Sequence, residues 1–198
     1  MPDSPSVINR RDALKRTALL IGATISAPTL AGMLAGCETP RGEGGWTPRA
    51  LSTTQGDLVA TIAEQIIPET DTPGARSVGV HRFIDTMLAE YYGAADRDRF
   101  LEGLRDVDAR AERLGAASFL KASKEQQLSV LTALDREAYA QPLAPAAPRP
   151  FFRTMKELTL LGYYTSEPGA TKELRYVPVP GRFEGCVPMS RVGRAWAV

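Results

Sequence analysis

The sequence predicts a mostly α-helical protein, a compact bundle of about five helices followed by a long irregular tail rich in proline and glycine. Three observations predict this fold class. Apolar residues recur at helical spacing in five stretches between Ser52 and Tyr164. Two Ser-x-x-Gln sequences have the pattern of a capping box, which marks a helix start. From Thr165 onward, prolines and glycines replace the helical period, so no long helix continues there.

The composition is that of an ordinary globular protein and excludes several classes. Of 198 residues, 43% are hydrophobic and 24% charged, which fits neither wholesale disorder nor a membrane protein with many spans. Basic residues number 24 and acidic residues 23, so the chain lacks the positive charge of a nucleic-acid-binding protein. The chain contains no glycine-rich nucleotide motif and no C-x-x-C-H for c-type haem. After removal of a leader, we expect one domain.

Residues 1–36 are interpreted as an export signal and are set aside from the fold. Arg10 and Arg11 precede a moderately apolar stretch from Thr17 to Ala35, which glycine, proline, serine and threonine interrupt. Weak hydrophobicity behind an arginine pair is typical of twin-arginine signals, which export proteins that are already folded. We therefore predict a bacterial periplasmic protein that is exported by the twin-arginine route.

The leader ends in a sequence that resembles a bacterial lipobox. Residues 34–37 read Leu-Ala-Gly-Cys, and the thiol of Cys37 would accept the lipid after cleavage behind Gly36. Two or three acyl chains hold a protein stably at a membrane, so we predict a lipid anchor. The alternative is a plain transmembrane anchor with an incidental cysteine. Residues 37–50 contain prolines and glycines without a period, which predicts a tether.

The helical domain is expected to span residues 51–164. The first helix follows the N-cap Ser52 and stops at Pro68, which cannot continue it. The segment 69–74 contains Asp, Thr, Pro and Gly, and this composition predicts a turn.

Three further helices follow in order. The second covers residues 81–92, and the third covers about 95–114 with one apolar stripe. The outer face of the third mixes arginine with acidic residues, which favours a solvated surface. The fourth begins after the N-cap Ser123.

A proline- and alanine-rich stretch, residues 141–150, predicts an extended connector to the last helix. That helix, residues 151–164, has apolar residues on more than one side, so we expect it to be buried on more than one side. The tail, residues 165–198, remains apolar without a helical period, and we expect it to lie along its own helices or along another subunit.

The residue patterns give no catalytic, cofactor-binding or metal-binding site. His81 is the only histidine, and a nucleophilic catalytic arrangement would depend on it, but a structural or surface role is favoured. The carboxylates Glu64, Glu69, Asp71 and Asp85 suggest a calcium site, yet their spacing matches no EF-hand loop. Solvated carboxylates and helix caps are therefore the preferred interpretation.

Cys186 is the single thiol that remains if Cys37 carries lipid. In an oxidising compartment a leftover cysteine indicates a bond to another chain or a reactive thiol. The alternative is a buried, inert cysteine. We predict that Cys186 is a candidate for an intersubunit disulfide.

Three regions carry a family resemblance: the Arg-Arg leader, the sequence AEQIIPETDTPGA at 63–75, and a third region that includes GYYTSE at 162–167 and GCVP at 185–188. These residues resemble the gluconate 2-dehydrogenase subunit 3 family. The resemblance implies a non-catalytic small subunit that accompanies a large flavoprotein, which oxidises a sugar or sugar acid in the periplasm. It implies FAD in that partner, haem c in a third, cytochrome subunit, and no cofactor in this chain.

We therefore expect this chain to escort a folded flavoprotein through export and to grip it with its tail. The candidate partner-interface residues are Tyr163, Tyr164, Leu174, Tyr176 and Phe183. Two other interpretations stay open: a stand-alone lipid-anchored periplasmic protein with a binding or structural role, and an enzyme that uses His81.

Overall fold

The computed structural model describes residues 46–140, 142, 147–179, 181 and 185–197. The predicted signal, the lipobox, most of the tether and Phe183 lie outside the described residues. The described helices are α1 (Thr53–Ile66), α2 (Ala75–Val78), α3 (Val80–Glu90), α4 (Ala94–Arg113), α5 (Lys124–Tyr139), α6 (Phe151–Tyr164) and α7 (Met189–Val192).

Shorter elements connect or follow the helices. A 3-10 turn, Phe119–Lys121, precedes α5, and a π-helical turn, Gly169–Glu173, follows α6. Strand β1 (Arg175–Tyr176) pairs in parallel with β2 (Trp196–Ala197), so that Arg175 lies opposite Trp196 and Tyr176 opposite Ala197. The mostly helical fold is confirmed, and α1, α3, α4, α5 and α6 are the five predicted helices.

Both predicted capping boxes are present. The Ser52 hydroxyl accepts the Gln55 N–H at 3.2 Å, and the Gln55 amide oxygen accepts the Ser52 N–H at 2.8 Å. Ser123 and Gln126 make the same pair of bonds at 3.2 and 2.9 Å. Each box supplies partners for amide groups that a helix start leaves without an intrahelical acceptor.

Helix α6 occupies the centre of the bundle and packs against α1, α3, α4 and α5. This arrangement confirms the prediction that α6 is buried on more than one side. Its buried residues are Phe152, Thr154, Met155, Leu158, Thr159, Gly162 and Tyr163.

The segment that enters α1 is fastened to α3 by one buried carboxylate. Asp85 is 1% exposed and accepts the backbone N–H groups of Arg49, Ala50 and Leu51 at 2.8, 3.0 and 2.9 Å. A carboxylate that accepts three amides has its own charge stabilised and gives three backbone donors an acceptor. Asp85 therefore fixes the point at which the helical domain begins.

The outer face of α4 carries ion pairs with solvent-exposed partners. Arg99 pairs with Asp96, and Arg110 bridges Asp106 at 2.7 Å and Glu137 of α5 at 2.6 Å. Pairs of this kind contribute little to stability, and they suit the solvated face that the charge pattern predicts. Across the described ranges, no helix is long and apolar enough to span a membrane.

Candidate functional site

The turn after α1 contains the motif at 63–75, and Glu64 shapes it. The Glu64 carboxylate accepts the N–H of Glu69 at 3.0 Å and the N–H of Arg76 at 2.8 Å. A Cβ at Gly74 would lie 2.3 Å from the Glu64 Oε1, so a larger residue there would displace the carboxylate from this position. Glu64 thus acts as a clamp on the turn and as an acidic group at the start of α2.

Tyr163 joins this turn to the end of α6. Its side chain is 1% exposed, and its hydroxyl donates to the Pro73 carbonyl at 2.8 Å. A ring that is buried in its own chain leaves no surface for a partner, so Tyr163 is corrected from a candidate interface residue to a core residue. Tyr164 contacts it edge to face, with ring centroids 5.3 Å apart, and remains 38% exposed.

The start of the tail is attached to the same end of the bundle. The Ser166 hydroxyl donates to the Tyr163 carbonyl at 2.5 Å and accepts the Gly169 N–H at 3.1 Å. A Cβ at Gly169 would lie 1.9 Å from the Tyr163 carbonyl oxygen, so only glycine fits there. Thr72 donates to Glu173 at 2.7 Å and ties the π-helical turn to the turn after α1.

An apolar stripe lies on the solvent side of α6 next to this end of the bundle. We define it as Leu160, Leu161 and Tyr164, which are 42%, 47% and 38% exposed. Tyr164 lies four residues after Leu160 and three after Leu161, so its side chain neighbours both of them on the helix surface. Apolar patches that remain exposed mark interaction surfaces in soluble proteins.

A groove lies between the π-helical turn that follows α6 and the paired strands. This tail groove has a volume of about 470 Å³ and is lined by Thr171, Leu174, Arg175, Tyr176 and Arg194. Leu174 is half-buried and Tyr176 is 53% exposed. The structure therefore brings together two of the predicted interface residues and adds two arginines.

The tail groove could not be found from sequence spacing. Arg194 reaches it because its guanidinium donates to the Lys172 carbonyl, and because β2 pairs with β1. Strand pairing between segments about 20 residues apart leaves no local signal in the sequence. Cys186 is exposed and has no disulfide among the described residues.

His81 is half-buried against the tether. Its ring contacts the Trp46 indole edge to face, with centroids 5.0 Å apart. Burial lowers the pKa of His81, and the charges of Arg82 and Arg76 lower it further. Its buried Nδ1 has no hydrogen-bond partner among the described residues, whereas a catalytic base is normally held by an orienting group.

Three of the four carboxylates considered for calcium accept other hydrogen bonds. Glu64 and Asp85 accept backbone N–H groups at separate places, and Asp71 accepts the Thr70 hydroxyl at 3.1 Å. In the part of the chain that the structure describes, no group of three or more His, Cys, Asp and Glu residues converges on a point.

One family model matches the chain. The model described as gluconate 2-dehydrogenase subunit 3 matches residues 53–181, from the start of α1 through β1. The match includes the Glu64 turn, the apolar stripe, Leu174 and Tyr176, whereas Cys186 and Arg194 lie beyond it. No curated protein and no solved structure matches this chain.

Proposed function

Because the chain belongs to the gluconate 2-dehydrogenase subunit 3 family, we propose that it is the non-catalytic small subunit of an FAD-dependent sugar or sugar-acid dehydrogenase at a membrane. Family membership makes it a component of a dehydrogenase complex with a larger subunit. The proposal adds the chemistry of that subunit: it binds FAD and oxidises the sugar, while a cytochrome subunit with haem c accepts electrons.

The proposed escort role rests on a mismatch in the sequence. The chain has an arginine-pair leader of the kind used for folded cargo, yet it has no nucleotide or haem motif that would require folding before export. A partner that binds FAD must fold before export, because a cofactor loaded in the cytoplasm is retained only by a folded protein. This subunit therefore carries the folded, FAD-loaded partner to the periplasm and stabilises it there.

We propose that Cys37 is lipidated and holds the complex at a membrane. The fastening of residues 49–51 to Asp85 supports this role, since an anchor can position a domain only if the tether ends at a fixed point.

The observation that carries the subunit role is the ordered apolar surface at the end of α6. The bonds from Tyr163 to Pro73 and from Thr72 to Glu173 order the chain on both sides of it. A preorganised apolar patch loses little entropy on binding, so it suits a stable subunit interface.

Purification of the native protein tests the proposed function. We expect a flavoprotein to elute with this chain at a near-equimolar ratio, visible as the flavin absorption spectrum. A well-behaved monomer without flavin would instead support a stand-alone lipid-anchored protein. If the isolated chain turned over a sugar, and His81→Ala abolished that activity, this chain itself would be the enzyme.

Leu161→Glu is expected to release the partner. A carboxylate buried in an apolar interface without a counter-charge costs several kcal/mol, so the amount of flavoprotein that co-purifies should fall by about tenfold or more. The matched control is Leu128→Glu on α5, where the leucine is 61% exposed. Equal recovery of flavoprotein with both variants would show that the stripe is not the interface, provided that circular dichroism shows both variants folded.

We propose that Cys186 forms a disulfide with a partner subunit, because it is an exposed thiol in a chain predicted to reach an oxidising compartment. Electrophoresis of the native complex without reductant should show a band of summed mass, which disappears on reduction and in Cys186→Ser. Identical mobility with and without reductant would remove the disulfide from the proposal.

A further inference from the structure

We infer that the tail groove binds an acidic segment of the larger dehydrogenase subunit. The inference rests on the proposed function and adds the chemistry of one contact. The two arginines of the groove and the residues around them support it.

Backbone carbonyls hold both guanidinium groups of the groove. Arg175 donates to the Val192 carbonyl at 3.4 Å, and Arg194 donates to the Lys172 carbonyl. Arg175 also lies over the Trp196 ring, 6.0 Å from its centroid. A guanidinium has five N–H donors, so one bond to a carbonyl orients each group and leaves donors for a ligand.

The two arginines of the groove have no carboxylate partner in the part of the chain that the structure describes. Among the described residues, neither Arg175 nor Arg194 forms an ion pair with a carboxylate. The groove therefore presents two positive charges that the described part of the chain does not neutralise.

A second cleft of similar size shows the contrast. It measures about 460 Å³ and includes Arg99 and Arg149 in its lining. There Arg99 pairs with Asp96 and Arg149 with Glu157, so both charges are already satisfied within the chain. Of these two clefts, only the tail groove has charge available for an external anion.

The walls of the groove are already formed without a ligand. The N–H groups of Arg175 and Val177 donate to the carbonyls of Ala195 and Ala197, both at 2.8 Å. Leu174 donates to the Gly169 carbonyl at 2.9 Å and closes the π-helical turn that forms the other wall. Since the walls are hydrogen-bonded, a ligand need not order them, which favours binding.

The lining of the groove suits a peptide segment. Two guanidiniums recognise carboxylates in bidentate geometry, while Leu174 and the exposed ring of Tyr176 offer apolar contact in the same groove. This combination suits a chain that carries Asp or Glu side chains among apolar ones. The π-helical turn that forms one wall of the groove is hydrogen-bonded through Ser166 to the end of α6, the helix that carries the apolar stripe, so we assign both surfaces to the same partner.

The test is a charge reversal in the full-length complex. Arg175→Glu with Arg194→Glu should weaken retention of the flavoprotein by about tenfold or more in a dilution series, and should remove most of its sensitivity to added NaCl. Arg175→Lys with Arg194→Lys keeps the charges but loses the bidentate geometry. This variant should therefore retain less flavoprotein than the wild type and more than the charge-reversed variant. The matched control, Arg105→Glu with Arg136→Glu, makes the same change in net charge at exposed helix positions and should retain the flavoprotein as the wild type does.

The outcomes separate this inference from the proposed function. If the wild-type chain retains no flavoprotein, both are refuted. If the wild type retains it and the reversed groove retains it equally at every NaCl concentration, the groove is not a contact and the proposed function stands. If the reversal leaves flavoprotein binding unchanged but abolishes binding to phosphatidylglycerol vesicles, the groove binds a membrane surface, and the inference is overturned.

Discussion

Asp85→Ala is expected to lower the free energy of unfolding by about 4 kcal/mol, because three N–H groups would lose a charged acceptor in a buried place. The midpoint of thermal unfolding, measured by circular dichroism, should then fall by roughly 10 °C. The loss is large because alanine offers no acceptor and the 1% exposure of Asp85 leaves little access for water.

Two other variants define the cause. Asp85→Asn keeps one oxygen, which can still accept from Ala50 and Leu51, but its NH2 group would face the Arg49 N–H, so an intermediate loss is expected. Asp98→Ala, at an exposed position on α4, should change stability by no more than about 0.5 kcal/mol. If Asp85→Ala were as mild as Asp98→Ala, the three bonds would not stabilise the fold.

Changing both Arg10 and Arg11 to lysine is expected to leave nearly all of the partner's dehydrogenase activity in the cytoplasm. Lysine preserves the charge of the leader but not the arginine pair, so a general effect of charge on export is kept constant. The measurement is dye-linked sugar oxidation in periplasmic and cytoplasmic fractions, with total flavoprotein quantified in each.

A matched change separates the arginine pair from the basic region as a whole. Arg16→Lys, further along the same leader, should leave the distribution of activity unchanged. Undiminished periplasmic activity with both pair arginines replaced would refute the escort role. The proposed subunit role would then stand without the escort role, since the flavoprotein could still assemble with this chain after separate export.

Much of the fold could be predicted because its signals are local. Helix α6 begins and ends at the predicted residues, 151 and 164, and both capping boxes form as their spacing indicates. The predicted second helix extended to Tyr92, whereas α3 ends at Glu90. Helix ends depend on a few weak bonds, and their positions are therefore less certain than the existence of a periodic helix.

The candidate site was predicted less completely. Tyr163 and Tyr164 are neighbours in the sequence, and each was expected to face a partner. Successive residues on a helix point about 100° apart, so two neighbours can differ in burial, and here Tyr163 faces the core while Tyr164 remains exposed. The Tyr163 hydroxyl donates to the carbonyl of Pro73, 90 residues away, a contact that no local pattern predicts.

The helical class, the helix starts and the family resemblance could be read from the sequence alone, because periodicity, capping and motifs act over a few residues. The tertiary structure decided how single side chains are used: Asp85 as an acceptor for three amides, Tyr163 as a core residue, and Arg194 as a wall of the tail groove. These roles depend on contacts between segments far apart in the chain, and no local pattern records which segments will meet.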